Sequence, residues 1–142
     1  MEATEPSEIR QVVYVSQANL NLRAADMKSL LENALKNNEL HGITGLLLQK
    51  KGQFMQLIEG PHEAVERLLQ NLKSDTRHEH LSVLVDHMIP EREFICWLMG
   101  FETQNVAYEM STLQEYHVDP KFLLDVPSSS RGILLLRSFL NL

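Results

Sequence analysis

Two short apolar runs, Leu46–Leu48 and Phe54–Ile58, flank Lys50-Lys51-Gly52 in the middle of the chain. Runs of strand length separated by a glycine-containing turn predict a β-hairpin, buried on both sides, at the centre of a sheet. Alternation along the second run places Phe54, Gln56 and Ile58 on one face and Met55 and Leu57 on the other. Upstream, the β-branched stretch Gln11–Ser16 predicts a strand with Val12, Tyr14 and Ser16 on one face and Val13 and Val15 on the other. Met27, Leu30, Leu31 and Ala34 recur at helical spacing and predict a helix from Ala24 to Asn37. Val65, Leu68, Leu69 and Leu72 predict a second helix, with Pro61 expected in its first turn. Leu81–Ile89 and Phe94–Phe101 supply two more strands, and the short Pro90-Glu91-Arg92 link predicts an antiparallel return between them.

The order strand, helix, strand, strand, helix, strand, strand predicts an α+β fold, a ferredoxin-like five-stranded mixed sheet with both helices on one face. That leaves Val13, Val15, Leu57 and Leu98 bare on the other face. Residues 105–142 can cover it: Met110 and Leu113 suggest one short helix, Asp119-Pro120 starts another, and Ser128–Leu140 holds Ile133, Leu134, Phe139 and Leu140. Gly132 should weaken this last helix by up to about 1 kcal/mol relative to alanine. The expected division is a polar tail at residues 1–9, a central α+β body at 10–104, and a helical cap of the same domain at 105–142.

A chain of 142 residues is long enough for one real core, and a formal charge of −6 argues against a nucleic-acid footprint, which needs a basic face. The lone Cys96 excludes an internal disulfide, and the acidic, polar start MEATEPSEIR lacks the apolar segment of a signal peptide. Ile133–Leu136 is far too short to span a bilayer. Together these features predict a cytoplasmic protein that engages no membrane. His78-Glu79-His80 with His87 lacks the spacing and the partner ligands of a zinc site, and Gly42-Ile43-Thr44-Gly45 lacks the ending of a phosphate loop.

Three polar side chains point toward the layer between sheet and helices. Gln56 aims an amide into a covered face, where unmet donors and acceptors would cost about 1–3 kcal/mol. A backbone group, a buried water or a ligand could meet it. Asn38 extends the apolar stripe of the first helix, four residues beyond Ala34 and seven beyond Leu31. It could serve as a cap near a helix end closed by Gly42, or as a binding group. Tyr14 adds a phenol. None is a strong acid, base or nucleophile, so the set suits recognition of a polar heterocycle better than hydrolysis. Trp97 and Met99 share a strand face that can reach the same layer.

The residues around these positions resemble the BLUF family, blue-light sensors that use flavin. The matching segments are VYVS around Tyr14, N-N-x-x-x-G-I-T-G-L-L-L from Asn37 to Leu48, and F-x-Q-x-I-E-G-P around Gln56. They continue with D-x-R-H from Asp75 to His78 and W-x-M-G-F from Trp97 to Phe101, so the resemblance runs in order over roughly residues 10 to 102. It implies a non-covalent flavin, FAD with FMN as the other candidate, held between the two helices. Its implied contacts are Tyr14, Asn37, Asn38, Gln56, Leu30, Arg77 and His78. Tyr14 would donate an electron to the photoexcited flavin, Gln56 would pass the proton and then rearrange its hydrogen bonds, and Asn38 would bond the pyrimidine edge. Ser16 could tune the phenol or be a plain strand serine, and Arg77 and His78 could equally be cations solvated at a helix end. Trp97, Met99 and Ser16 would relay the change to a downstream signalling protein, with the chain assembling as a homo-oligomer and catalysing no reaction of its own. A light-insensitive interaction module of the same fold is the alternative; replacement of Tyr14 or Gln56 would favour it, and both are present.

Overall fold

A computed structural model describes residues 8–18, 24–75, 78–101, 119–128 and 130–141. The order is β1 (Ile9–Ala18), α1 (Ala24–Leu40), β2 (Thr44–Lys50), β3 (Gln53–Gly60), α2 (His62–Ser74), β4 (His78–Ile89), β5 (Trp97–Phe101), a 3-10 turn (Pro120–Asp125) and α3 (Arg131–Phe139). The central hairpin forms where the apolar runs place it. Its two turn residues, Lys51 and Gly52, have φ of 50° and 77°, the left-handed pair whose twist suits a two-residue β-turn. Pro61 differs from its expected place: it stands just before α2, in extended conformation with φ −58° and ψ 142°, and the helix begins at His62. α1 runs on to Leu40, and Gly42, at φ 70°, turns the chain so that Ile43 N–H donates to the Asn38 carbonyl at 2.8 Å.

The sheet order is β4-β1-β3-β2-β5, antiparallel except for the parallel pairing of β5 with β2. This is the ferredoxin-like split β-α-β arrangement extended by one strand. The antiparallel return from β4 to β5 therefore does not occur: the two strands lie at opposite edges. Contacts distant in sequence draw the link across the sheet end. The Arg92 guanidinium donates to the Gly42 carbonyl (2.8 Å), the Thr44 hydroxyl oxygen (2.8 Å) and the Glu59 carbonyl (3.2 Å). The Thr44 hydroxyl in turn donates to the Phe94 carbonyl at 2.7 Å, so β5 starts beside β2.

Two apolar cores lie on the two faces. On the helix side Val12, Tyr14, Leu47, Phe54, Ile58, Trp97 and Met99 pack against Leu31 and Leu35 of α1 and Val65 and Leu69 of α2. On the opposite side Val13, Leu46, Leu48, Met55 and Leu57 pack under Leu123 of the 3-10 turn and Ile133 and Leu136 of α3. The C-terminal segment thus covers the face that the helices leave bare. α3 passes close to the sheet at Gly132, where a Cβ would lie 2.8 Å from a Leu57 methyl and 3.1 Å from the Gln11 amide oxygen. Met110 and Leu113 lie outside the described residues. Among the described residues, no helix is long and apolar enough to cross a membrane.

Candidate functional site

Strand register gathers the candidate side chains. Tyr14 on β1 pairs with Gln56 on β3, Gln56 with Leu47 on β2, and Leu47 with Met99 on β5, making one row across the helix-side face. Trp97 belongs to the next row, with Gly45 and Ile58. The Tyr14 hydroxyl donates to Gln56 Oε1. Both side chains are buried, and they line a pocket with Ser16, Leu31, Ala34, Leu47, Phe54 and Leu72. It is a half-open pocket with mostly apolar walls. Burial pushes the Tyr14 phenol far above its ordinary acidity range, and the nearby charge of Asp75 adds to the rise. The phenol therefore holds its proton across the whole working pH range.

Asn38 lies on the same α1 face, one turn beyond Ala34. Its side chain is wholly buried, and neither end of the amide has a partner among the described residues. Buried polar groups are nearly always paired, so this amide is a candidate to meet a polar ligand edge. The capping alternative is not what the side chain does: only the backbone carbonyl of Asn38 closes the helix. Asn38 also lines a groove between α1 and α2 with Asn37, His41, Arg67 and Asn71, and a second groove with Arg92, Ile95 and Trp97. α1 and α2 each return the chain between parallel strands of opposite direction, so they run antiparallel. Leu31 and Leu72 line the pocket beside Tyr14, and Asn38 and Ala64 line the separate interhelical groove.

Other sequence-derived candidates fall variously. Ser16 is buried and on the pocket wall, whereas Asn37 is exposed on the rim of the interhelical groove. The side chain of Leu30 and all of Arg77 lie outside the described residues. His78 opens β4 rather than ending a helix, and its side chain is not described. Trp97 and Met99 are both buried on the helix side, with the Trp97 indole N–H unpartnered among the described residues. Neither lines the pocket beside Tyr14. Two further polar residues went unread in the sequence: Arg67, whose place in the interhelical groove depends on how α2 faces α1, and Gln49. The Gln49 Oε1 is buried without a partner, one row from Gln56. Its only sequence signal is an amide at the end of an apolar run.

Residues 9–100 match the sequence family described as sensors of blue light using FAD. The chain belongs to the BLUF family. Among relatives of this BLUF protein is photoactivated adenylate cyclase subunit beta of Euglena gracilis, 29% identical over 118 residues, which make up 81% of this chain and 14% of that one. The chain thus spans about a seventh of the length of that relative. Among solved structures, Klebsiella pneumoniae BlrP1 with FMN and cyclic diGMP superposes with a TM-score of 0.70 at 28% identity, over 94% of this chain and 34% of that one. The dark state of BlrB, described as a BLUF protein, gives 0.65 at 26% identity, over 94% of this chain and 96% of that one. Membership makes the BLUF protein a flavin-based blue-light sensor, and its residues suit that cofactor. The pocket walls are apolar, a phenol and an amide stand on its floor, and the orphaned Asn38 amide offers both a donor and an acceptor to a heterocycle edge.

Proposed function

We propose that Tyr14 and Gln56 are the photoactive pair of a blue-light receptor whose output is read by a separate signalling protein. The observation that carries this reading is the buried phenol donating to the Gln56 carbonyl oxygen in a pocket walled by Leu31 and Ala34 of α1, with the unpartnered Asn38 amide one turn beyond Ala34 on that helix. Bound flavin supplies blue-light absorption and, once excited, a strong pull for one electron. The phenol is the oxidisable group at the pocket. Because burial disfavours its charged forms, loss of an electron from Tyr14 is coupled to loss of its proton along the existing bond to Gln56 Oε1. Gln56 is suited to relay it: a proton taken up at Oε1 would be matched by one released from Nε2 toward the bound flavin, which also takes the electron, so the amide would stay neutral as its tautomer and no buried charge would be left on it. Asn38 holds the polar ring edge, Leu31, Leu47 and Leu72 exclude water, and Asn37, Leu30, Arg77 and His78 complete the binding set. Ser16 adjusts the phenol from the pocket wall. Met99, in the Tyr14–Gln56 row, passes the rearrangement to β5 together with Trp97.

FAD is the assigned cofactor, following the family description; the FMN named for BlrP1 keeps FMN as the second candidate. The chain performs no catalysis of its own, and the cyclase named in its relative and the cyclic diGMP named with BlrP1 support an effector as the partner. A cytoplasmic homo-oligomer, with residues 10–104 as sensor and 105–142 as its cap, completes the reading. The test is the light-minus-dark absorption difference of purified protein at equal flavin occupancy. Wild type should show a reversible red shift. Tyr14→Phe keeps the ring and should bind flavin yet lose the shift, as should Gln56→Leu. A wild-type shift in Tyr14→Phe would remove Tyr14 from its role, and a colourless protein that takes up no added flavin would favour the light-insensitive module.

A further inference from the structure

The two strands that carry Tyr14 and Gln56 carry a second polar pair. Gln11 faces Glu59 in register, three residues from Tyr14 and from Gln56 respectively, and both project to the opposite face of the sheet. Gln11 and Glu59 are wholly buried. The Gln11 amide nitrogen donates to both Glu59 (2.8 Å) and Glu93 (3.0 Å), and the Gln11 carbonyl oxygen meets the His87 ring at 2.7 Å. Glu59 also accepts from the backbone N–H groups of Glu93 and Phe94 at 2.9 and 2.8 Å. Beyond Glu93 the chain of bonds enters the cap: Ser128 donates to one Glu93 oxygen at 2.6 Å and Ser130 to the other at 2.8 Å. Each serine hydroxyl accepts a cap N–H in turn, Ser128 from Ser130 and Ser130 from Ile133. Gly132, in the first turn of α3, sits against the same Gln11 amide, with a hypothetical Cβ 3.1 Å from its oxygen.

We propose that Gln11, Glu59 and Glu93 form a latch, closed by Ser128 and Ser130, through which a rearrangement of the Tyr14–Gln56 pair changes the grip of the sheet on α3. The apolar contacts of Leu123, Ile133 and Leu136 are non-directional and tolerate sliding of the helix. The bidentate contact of one carboxylate with two hydroxyls does not, because hydrogen bonds weaken steeply with misalignment. A small twist of the β1–β3 ladder moves both polar pairs at once, since each is held by the same cross-strand hydrogen bonds. Glu93 is the hinge of the device: among the described residues it alone bonds both the sheet amide and the cap serines.

The latch rests on the photochemical reading, and one experiment separates their failures. Amide hydrogen exchange over residues 131–140 is measured on the full-length flavin-loaded protein in the dark and under blue light, alongside the absorption shift. Wild type should exchange several-fold faster there in the light. Glu93→Ala should retain the red shift but exchange at least about tenfold faster in the dark, with little further light effect; Ser128→Ala, a milder change, should lie between. A red shift without light-dependent exchange in wild type would overturn the latch alone, and a missing shift would overturn both readings. Should Ser130→Ala loosen α3 while Glu93→Ala leaves it as in wild type, the serine is only a helix cap and the latch fails.

Discussion

The two faces of the sheet each bury polar groups, but the unpartnered amide and indole lie on the helix side. On the cap side Glu59, with no exposed surface, accepts from the Gln11 amide and two backbone N–H groups, and Gln11 is bonded at both ends. On the helix side the equally buried Asn38 amide and the Trp97 indole N–H have no partner among the described residues. A satisfied network specifies and rigidifies a fold, whereas an unsatisfied group persists against a cost of about 1–3 kcal/mol and so points to a ligand. Burial alone does not distinguish structure from site. The distribution of partners does.

The largest expected effect breaks the satisfied side. Glu59→Ala leaves at least two buried N–H donors unmet, and unfolding stability in urea should fall by more than about 3 kcal/mol. The reverse holds for the other face: Asn38→Leu should leave the stability of the flavin-free protein unchanged or raised. It should weaken flavin binding about 10- to 100-fold, as measured by fluorescence titration. A loss of flavin-free stability would mean that Asn38 is structural after all. A third test uses pH. Burial, reinforced by the charge of Glu93, raises the Glu59 carboxyl pKa above its ordinary value against the pull of its N–H donors. The folded state then binds a proton that the unfolded state has released, so this group makes stability fall as pH rises from the ordinary carboxylate range through the raised value. Asp86, held low by the Arg10 guanidinium, acts in the opposite sense: its contribution is complete above the ordinary range and is lost as pH falls toward its depressed value. Urea midpoints from pH 5 to 8 should decline in wild type relative to Glu59→Gln; parallel profiles would sever the pH slope from Glu59. The smallest effect sharpens the cap side. Lys50→Ala removes a 3.3 Å bond to the Phe139 carbonyl near the end of α3, and should change stability by no more than about 0.5 kcal/mol.

Local periodicity made much of this molecule readable. The hairpin, both helices and the helix-side placement of Tyr14, Gln56 and Asn38 follow from spacings of two and of three to four residues. Asn38 declared itself by interrupting an apolar stripe. The position of β5 was not readable, because Pro90–Arg92 is short enough for a hairpin and only contacts distant in sequence, from Arg92, Glu93 and Phe94 to Gly42, Thr44 and Glu59, carry the chain to the other edge. The Gln11–Glu59–Glu93 cluster was equally hidden, its members lying 48 and 34 residues apart. Glu59 sits inside the E-G-P match, yet a sequence motif does not say what meets its carboxylate.

A one-layer sheet with a separate core on each face also divides what can drift from what cannot. On β3, Gln56 and Ile58 look toward the helices while Met55, Leu57 and Glu59 look toward the cap. Substitutions at Met55 and Leu57 can accumulate to suit a different covering helix without passing through the Tyr14–Gln56 bond. The helix-side pocket and the fit of the cap are therefore separately heritable, residue by alternate residue, along the same strand.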